Sequence, residues 1–106
     1  IIRASTNDLE GAIKDYSMAI RIKADYSEAY NNRGVALATK GNHKSAIKDY
    51  EKALELNPKY ASAYSNRGIS HEVMGNMKNA CTDWEAASRL GEKSSMEWHY
   101  TQCENN

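Results

Sequence analysis

The chain has 106 residues, and its 41% hydrophobic and 26% charged content is that of an ordinary globular domain. Fourteen basic and fourteen acidic side chains cancel, which excludes the broad positive field that attracts a nucleic-acid backbone. No stretch approaches the roughly 18 consecutive apolar residues of a membrane-spanning helix. The composition therefore predicts one domain with neither nucleic acid nor membrane among its partners.

The N-terminal part of the chain predicts a helix that contains the letters AIKDY at residues 12–16. The same letters return at residues 46–50, which indicates a unit of 34 residues whose first copy lacks most of its front half. Because Ile1 already lies inside this pattern, we expect the chain to be cut from a longer protein.

The middle of the chain predicts two complete hairpins of two helices each. AYNNRG at residues 29–34 returns as AYSNRG at 63–68, and apolar residues recur within each unit every three or four positions. Gly41 and Gly75 mark the turn inside each hairpin, since glycine readily takes the left-handed backbone of such a turn. Asn7 occupies the matching place in the first copy and is expected to make the same turn.

Helix ends and helix contacts can also be placed from the sequence. Asn57 and Pro58 predict the end of the second helix of the middle unit, because proline cannot continue a helix. Small residues predict where the two helices of a hairpin approach closely, namely Gly34 with Ala46 and Gly68 with Ala80. Tyr50 and Trp84 are then expected to fill the remaining space as core residues.

Each hairpin carries one arginine on its first helix and one aspartate level with it on its second. In an antiparallel hairpin that turns at residue 41, Arg33 lies level with Asp49, and the turn at 75 likewise places Arg67 level with Asp83. A half-buried arginine usually has a carboxylate partner, because an unpaired buried charge is costly. The sequence therefore predicts two ion pairs with a structural role, in preference to a ligand-binding role.

The tail at residues 94–106 departs from the 34-residue register and predicts a capping helix. Ser94 and Glu97 have the spacing of a capping box, and Met96, Trp98 or Tyr100 could cover the last open hairpin.

A 34-residue helical hairpin with this pattern resembles the tetratricopeptide repeat. The positions that carry the resemblance are Tyr30 and Tyr64, Gly34 and Gly68, Ala46 and Ala80, Tyr50 and Trp84, Ala53 and Ala87, and Pro58. The resemblance implies an all-α, right-handed superhelical solenoid of about two and a half hairpins plus a C-terminal capping helix. It divides the chain into a truncated first repeat at 1–26, a second repeat at 27–60, a third at 61–93, and the cap and tail at 94–106. The two arginines and His71 depart from the family pattern, which has leucine and an aromatic residue at those places.

The resemblance also implies a scaffold function, because similar proteins hold peptides on the concave wall formed by the first helices. The corresponding wall residues here are Glu28, Asn31, Asn32, Val35, Thr39, Ser62, Ser65, Asn66, Ile69 and Glu72. Asn32 and Asn66 recur in register, and a side-chain amide can both donate to and accept from an extended peptide backbone. The alternative is that these amides are merely solvated polar residues.

Two further roles are open to a protein of this kind. Capture of a chaperone's C-terminal carboxylate is disfavoured, because Glu28 and Ser62 stand where a clamp lysine is expected in similar proteins. A peptide with mixed polar and small apolar side chains suits the wall better. An exposed apolar stripe is also expected at the N-terminal edge, formed by Ile13, Tyr16 and Ile20 and covered either by another copy of the chain or by neighbouring repeats of a longer protein. The alternative function is therefore self-association, in which the repeats stack into homo-oligomers without a peptide ligand.

Catalysis and cofactor binding have little support in the sequence. His43, His71 and His99 lack a nucleophile or carboxylate in a known arrangement, so we expect no enzyme activity. His99 and Cys103 could share a metal with Cys81, but they lack the paired short spacings of zinc sites, so we expect no metal and no cofactor. Cys81 is expected to be a small core residue, and two isolated cysteines favour a reducing compartment such as the cytoplasm.

Overall fold

The computed structural model describes residues 6–91 and 103, and across that part of the chain it contains five α-helices and no strand. The helices are α1 (Thr6–Ile22), α2 (Ser27–Thr39), α3 (His43–Leu56), α4 (Ala61–Val73) and α5 (Met77–Arg89). Each helix packs mainly on its neighbours in sequence, and α2 also contacts α4. This is the stack of helical hairpins that the 34-residue period predicts, so the all-α assignment is confirmed.

The turns at the two glycines form as predicted. Gly41 has a φ of +91° and Gly75 a φ of +84°, a region that favours glycine. Around each turn the backbone closes in the same way, with the amide of Asn42 donating to the carbonyl of Leu37 at 2.8 Å, as its counterpart does one repeat later. The predicted turn at Asn7 is wrong, since this residue lies inside α1, which begins at Thr6.

The second helix of the middle hairpin also ends where predicted. Helix α3 stops at Leu56, and the amide of Asn57 donates to the carbonyl of Ala53 at 2.8 Å. The side-chain oxygen of Asn57 accepts the amide of Lys59 at 3.3 Å, which turns the chain around Pro58 toward α4.

The core is built from small residues on one side and a large aromatic ring on the other. Tyr50 and Trp84 are each 2% exposed. A Cβ atom on Gly34 would lie 2.6 Å from Cε1 of Tyr50, and one on Gly68 would lie 2.6 Å from Cδ1 of Trp84. Glycine is therefore required at both places for the two helices of a hairpin to pack at this distance.

Helix α1 lies at the N-terminal edge of the described structure and packs on α2. Because of that contact, Ile13, Tyr16 and Ile20 are half-buried, so the predicted stripe is less open than expected. The large apolar side chains that α1 does expose are Met18 at 60% and Ile22 at 83%.

The cysteines form a disulfide, which the sequence did not predict. Cys81 of α5 is bonded to Cys103, with their Cα atoms 5.7 Å apart, and both residues are half-buried. The prediction that Cys81 is a free core residue is wrong, and the argument for a reducing compartment loses its basis because it assumed unpaired cysteines. With the two sulfur atoms joined, neither thiolate is available to a metal. His99 and the predicted cap residues between 94 and 100 lie outside the described residues.

None of the described helices is long and apolar enough to cross a membrane.

Candidate partner-binding groove

The two arginines of the repeated motif are held by aspartates of the same hairpin. Arg33 donates from Nε and Nη2 to the two carboxylate oxygens of Asp49, both at 2.8 Å. Arg67 donates in the same bidentate way to Asp83, at 2.9 and 2.7 Å. Both aspartates are buried, so the pairs remove the cost of an isolated buried charge. The predicted pairing is confirmed.

Further contacts fix the arginine of the middle repeat in place. Its guanidinium lies 5.5 Å from the centre of the Tyr30 ring, and its Nη1 donates to the hydroxyl of Ser17 on α1 at 3.1 Å. The hydrogen bonds to Asp49 are the main cause that raises the pKa of Arg33 above its ordinary value, against the opposing effect of burial. The side chain thus ties α1, α2 and α3 together and is not directed at a ligand.

A pocket of about 260 Å³ opens between α2 and α4, at the start of α3. Its lining residues are Val35, Ala38, Thr39, His43, Tyr50, Asn66, Ile69 and Ser70. Four of these, namely Val35, Thr39, Asn66 and Ile69, are among the wall residues predicted from the sequence. Val35 is 41% exposed and Ile69 is 44% exposed, so two aliphatic side chains face solvent beside the pocket. We call the surface formed by these eight lining residues, between α2 and α4, the groove.

The floor of the groove is a buried polar cluster. Ser70 is 1% exposed, and its Oγ lies 3.0 Å from Nδ1 of His43 and also hydrogen-bonds Tyr50. Burial is the largest cause that raises the pKa of Tyr50 to about 12, followed by the nearby charge of Asp49, while the bond to Ser70 opposes the shift. These bonds connect the second helix of one repeat to the first helix of the next, which gives the groove a fixed base.

A second series of hydrogen-bonded polar side chains joins the same two repeats. The Asn66 amide donates to Oδ1 of Asn31 at 3.1 Å, and the Asn31 amide donates to the hydroxyl of Tyr60 at 3.4 Å. Asn31 is only 5% exposed. Contrary to the prediction that it faces a partner, Asn31 joins two repeats from a buried position. Asn66 is half-buried and uses its side-chain nitrogen in this series, which leaves its side-chain oxygen as an acceptor at the pocket that it lines.

The remaining predicted wall residues lie on α2 and α4 but do not line the pocket. Glu28 and Ser62 are exposed, near the start of the two helices, and Asn32, Ser65 and Glu72 are half-buried. The structure thus brings four of the ten predicted residues into one pocket and spreads the others along the same two helices.

Sequence reasoning missed four of the eight pocket residues, namely Ala38, His43, Tyr50 and Ser70. The sequence held a signal for Ser70, because this polar residue stands in the register of the small apolar residue Ala36. Both residues are buried in the structure. No comparable signal existed for His43, whose contact spans 27 residues.

Few titratable or nucleophilic side chains meet at the groove among the described residues. His43 contacts Ser70, a serine that is 1% exposed. Within residues 6–91 and 103 there is no group of three or more histidine, cysteine, aspartate or glutamate side chains that could hold a metal ion. His71, which replaces an aromatic residue of the family, lies 3.9 Å from the carboxylate of Asp83, on the hairpin interior.

Two family models match the chain, one described as "Tetratricopeptide repeat" over residues 27–60 and one as "TPR repeat" over residues 2–41. A comparison with curated protein sequences finds no match.

Solved structures of the same fold match with TM-scores well above 0.5. The Sgt2 TPR domain from Aspergillus fumigatus matches with a TM-score of 0.82 and 26% identity, over 92% of this chain and 70% of that one. The second TPR of Spaghetti (RPAP3), bound to HSP90 peptide SRMEEVD, matches at 0.77 and 26% identity, over 78% of this chain and 77% of that one. MamA matches at 0.77 and 28% identity, over 83% of this chain and 52% of that one, so this chain spans about half of MamA's length.

Proposed function

Because the chain is built from tetratricopeptide repeats, we propose that it is a protein-interaction scaffold that holds an extended partner segment in the groove between α2 and α4. The observation that carries this proposal is the pair of exposed aliphatic residues, Val35 and Ile69, beside a pocket whose floor is fixed by buried hydrogen bonds. An apolar side chain of a partner would gain burial there, while the Asn66 oxygen would accept a backbone amide.

The charges on α2 and α4 favour a neutral or basic partner segment. The arginines of both helices are taken by their own aspartates. Glu28 and Glu72 have no ion-pair partner among the described residues, so the wall carries two carboxylates without an available lysine or arginine on these helices. An acidic peptide such as SRMEEVD, held by the RPAP3 domain, would meet repulsion here.

The test titrates peptides that differ in charge against protein variants that carry a new glutamate at different positions. We would screen arrayed extended peptides, then titrate the best neutral and lysine-containing sequences and SRMEEVD against the wild type and Ile69→Glu. Met18→Glu is the matched control, because it places the same charge at an exposed apolar position of α1, away from the groove.

We expect neutral peptides to bind the wild type and Met18→Glu alike and to lose at least tenfold in affinity with Ile69→Glu, at a cost of about 1.4 kcal/mol. Unchanged affinity in Ile69→Glu would remove the groove from the proposal. Preference for SRMEEVD over the other peptides would contradict the charge argument.

A second candidate function is self-association through the N-terminal edge formed by Ile13, Tyr16 and Ile20. It is favoured by a comparison in register: Tyr16 is half-buried, whereas its counterpart Tyr50 is 2% exposed. Tyr16 on α1 is therefore more exposed than its counterpart on α3, and a second copy could cover it. Light scattering over a wide concentration range tests this candidate, and a monomer at every concentration would rule it out.

A further inference from the structure

The face of α3 that receives the next repeat can be identified from its contacts. His43 and Tyr50 both hydrogen-bond Ser70 of α4, and Leu54 packs in a cluster with Ala63 of α4. These three α3 residues are spaced seven and four apart, so they form one stripe along the helix.

The 34-residue register transfers that stripe to α5. The counterparts of His43, Tyr50 and Leu54 are Met77, Trp84 and Ser88. Cys81 lies on the same stripe, four residues after Met77 and three before Trp84. The face of α5 on which a further repeat would pack is therefore the face that carries the disulfide to Cys103.

We propose that the Cys81–Cys103 disulfide is a redox-sensitive lock that holds Cys103 on the face of α5 where a further repeat would pack. In the oxidised protein the bond fixes Cys103 against the stripe of α5 that carries Cys81, and it joins residues with a sequence separation of 22. Both cysteines are half-buried, so a small thiol reagent can reach the bond.

The chemical step is the exchange of the disulfide with a dithiol such as dithiothreitol. One reagent thiolate attacks one protein sulfur, breaks the Sγ–Sγ bond and releases the other protein sulfur as a thiolate. The second reagent thiolate then attacks the reagent sulfur of this mixed disulfide and releases the first protein sulfur. The reagent loses two electrons and two protons and becomes a cyclic disulfide. Cys81 and Cys103 each gain one electron and one proton and become thiols.

Breaking a cross-link of this sequence separation should lower the stability of α5 considerably. In the chain-entropy description, a cross-link with this separation shifts an opening equilibrium by on the order of 100-fold. Reduction should therefore raise hydrogen exchange in α5 by up to about this factor, while α3 at the centre of the stack responds much less.

The experiment is hydrogen exchange with mass spectrometry on the full chain, before and after dithiothreitol, with maleimide labelling to count thiols. The Cys81→Ser/Cys103→Ser variant is treated identically, and its circular dichroism spectrum reports whether it folds. The comparison of wild type with and without reductant does not depend on that variant.

We expect no labelled thiol before reduction, two after it, faster exchange in α5 after it, and no effect of the reagent on the double variant. The proposal is overturned if both cysteines label in the untreated protein, if α5 exchange is unchanged by reduction, or if the reagent has the same effect on the double variant.

Discussion

Replacement of Gly34 by alanine tests the close packing of the hairpins. The added Cβ would lie 2.6 Å from Cε1 and 2.9 Å from Cδ1 of Tyr50. That ring is 2% exposed and packed in the core, so the helices must separate or the ring must shift. Overpacking of this kind costs about 1–3 kcal/mol.

A second effect of the same substitution has the opposite sign. Alanine is favoured over glycine inside a helix by about 1 kcal/mol, so the measured change for Gly34→Ala alone is smaller than the steric cost. Gly11→Ala separates the two effects, because Gly11 lies in α1, where an added Cβ would meet no atom within 4 Å. This variant should gain helix stability without any clash.

The expected result is that Gly11→Ala is stabilised, Gly34→Ala is destabilised or unchanged, and the two differ by about 1–3 kcal/mol in the free energy of unfolding. Urea denaturation followed by circular dichroism measures the difference, and thermal melts should separate by about 4–8 °C per kcal/mol for a domain near this size. Equal stabilisation of both variants would refute the claim that Gly34 is kept by contact with Tyr50.

Two further predictions concern charge. Asp49→Asn leaves the half-buried Arg33 without its carboxylate and should lower the free energy of unfolding by about 1–3 kcal/mol. Glu85→Gln breaks the exposed pair with Arg89 and should change the free energy of unfolding by less than about 0.5 kcal/mol. Equal effects of the two variants in urea denaturation would contradict this prediction. The folded-state pKa of Tyr50 is raised to about 12. The contribution of this side chain to the free energy of unfolding is therefore fully present below pH 10 and is lost as the pH rises from 10 to 12. The loss should reach about 2–3 kcal/mol, and Tyr50→Phe should flatten this part of the stability–pH curve.

The sequence by itself determined the features that repeat. These features are the 34-residue period, the turn glycines, the close approach of the two helices at Gly34 and the pairing of Arg33 with Asp49. All of them follow from contacts within one hairpin. In a repeat protein such contacts recur at fixed offsets, so two copies of a motif reveal them. The resemblance to the tetratricopeptide repeat also implied that Val35 and Ile69 lie on one wall, and the structure puts both beside the same pocket.

The tertiary structure alone decided the features that occur once. The contact of His43 with Ser70, the burial of Asn31 between repeats and the bond from Cys81 to Cys103 join residues 22 to 35 positions apart. No repeated offset predicts these contacts, because each depends on side chains that only one copy carries. Their positions follow from how the hairpins stack in space, which also fixes the floor of the groove.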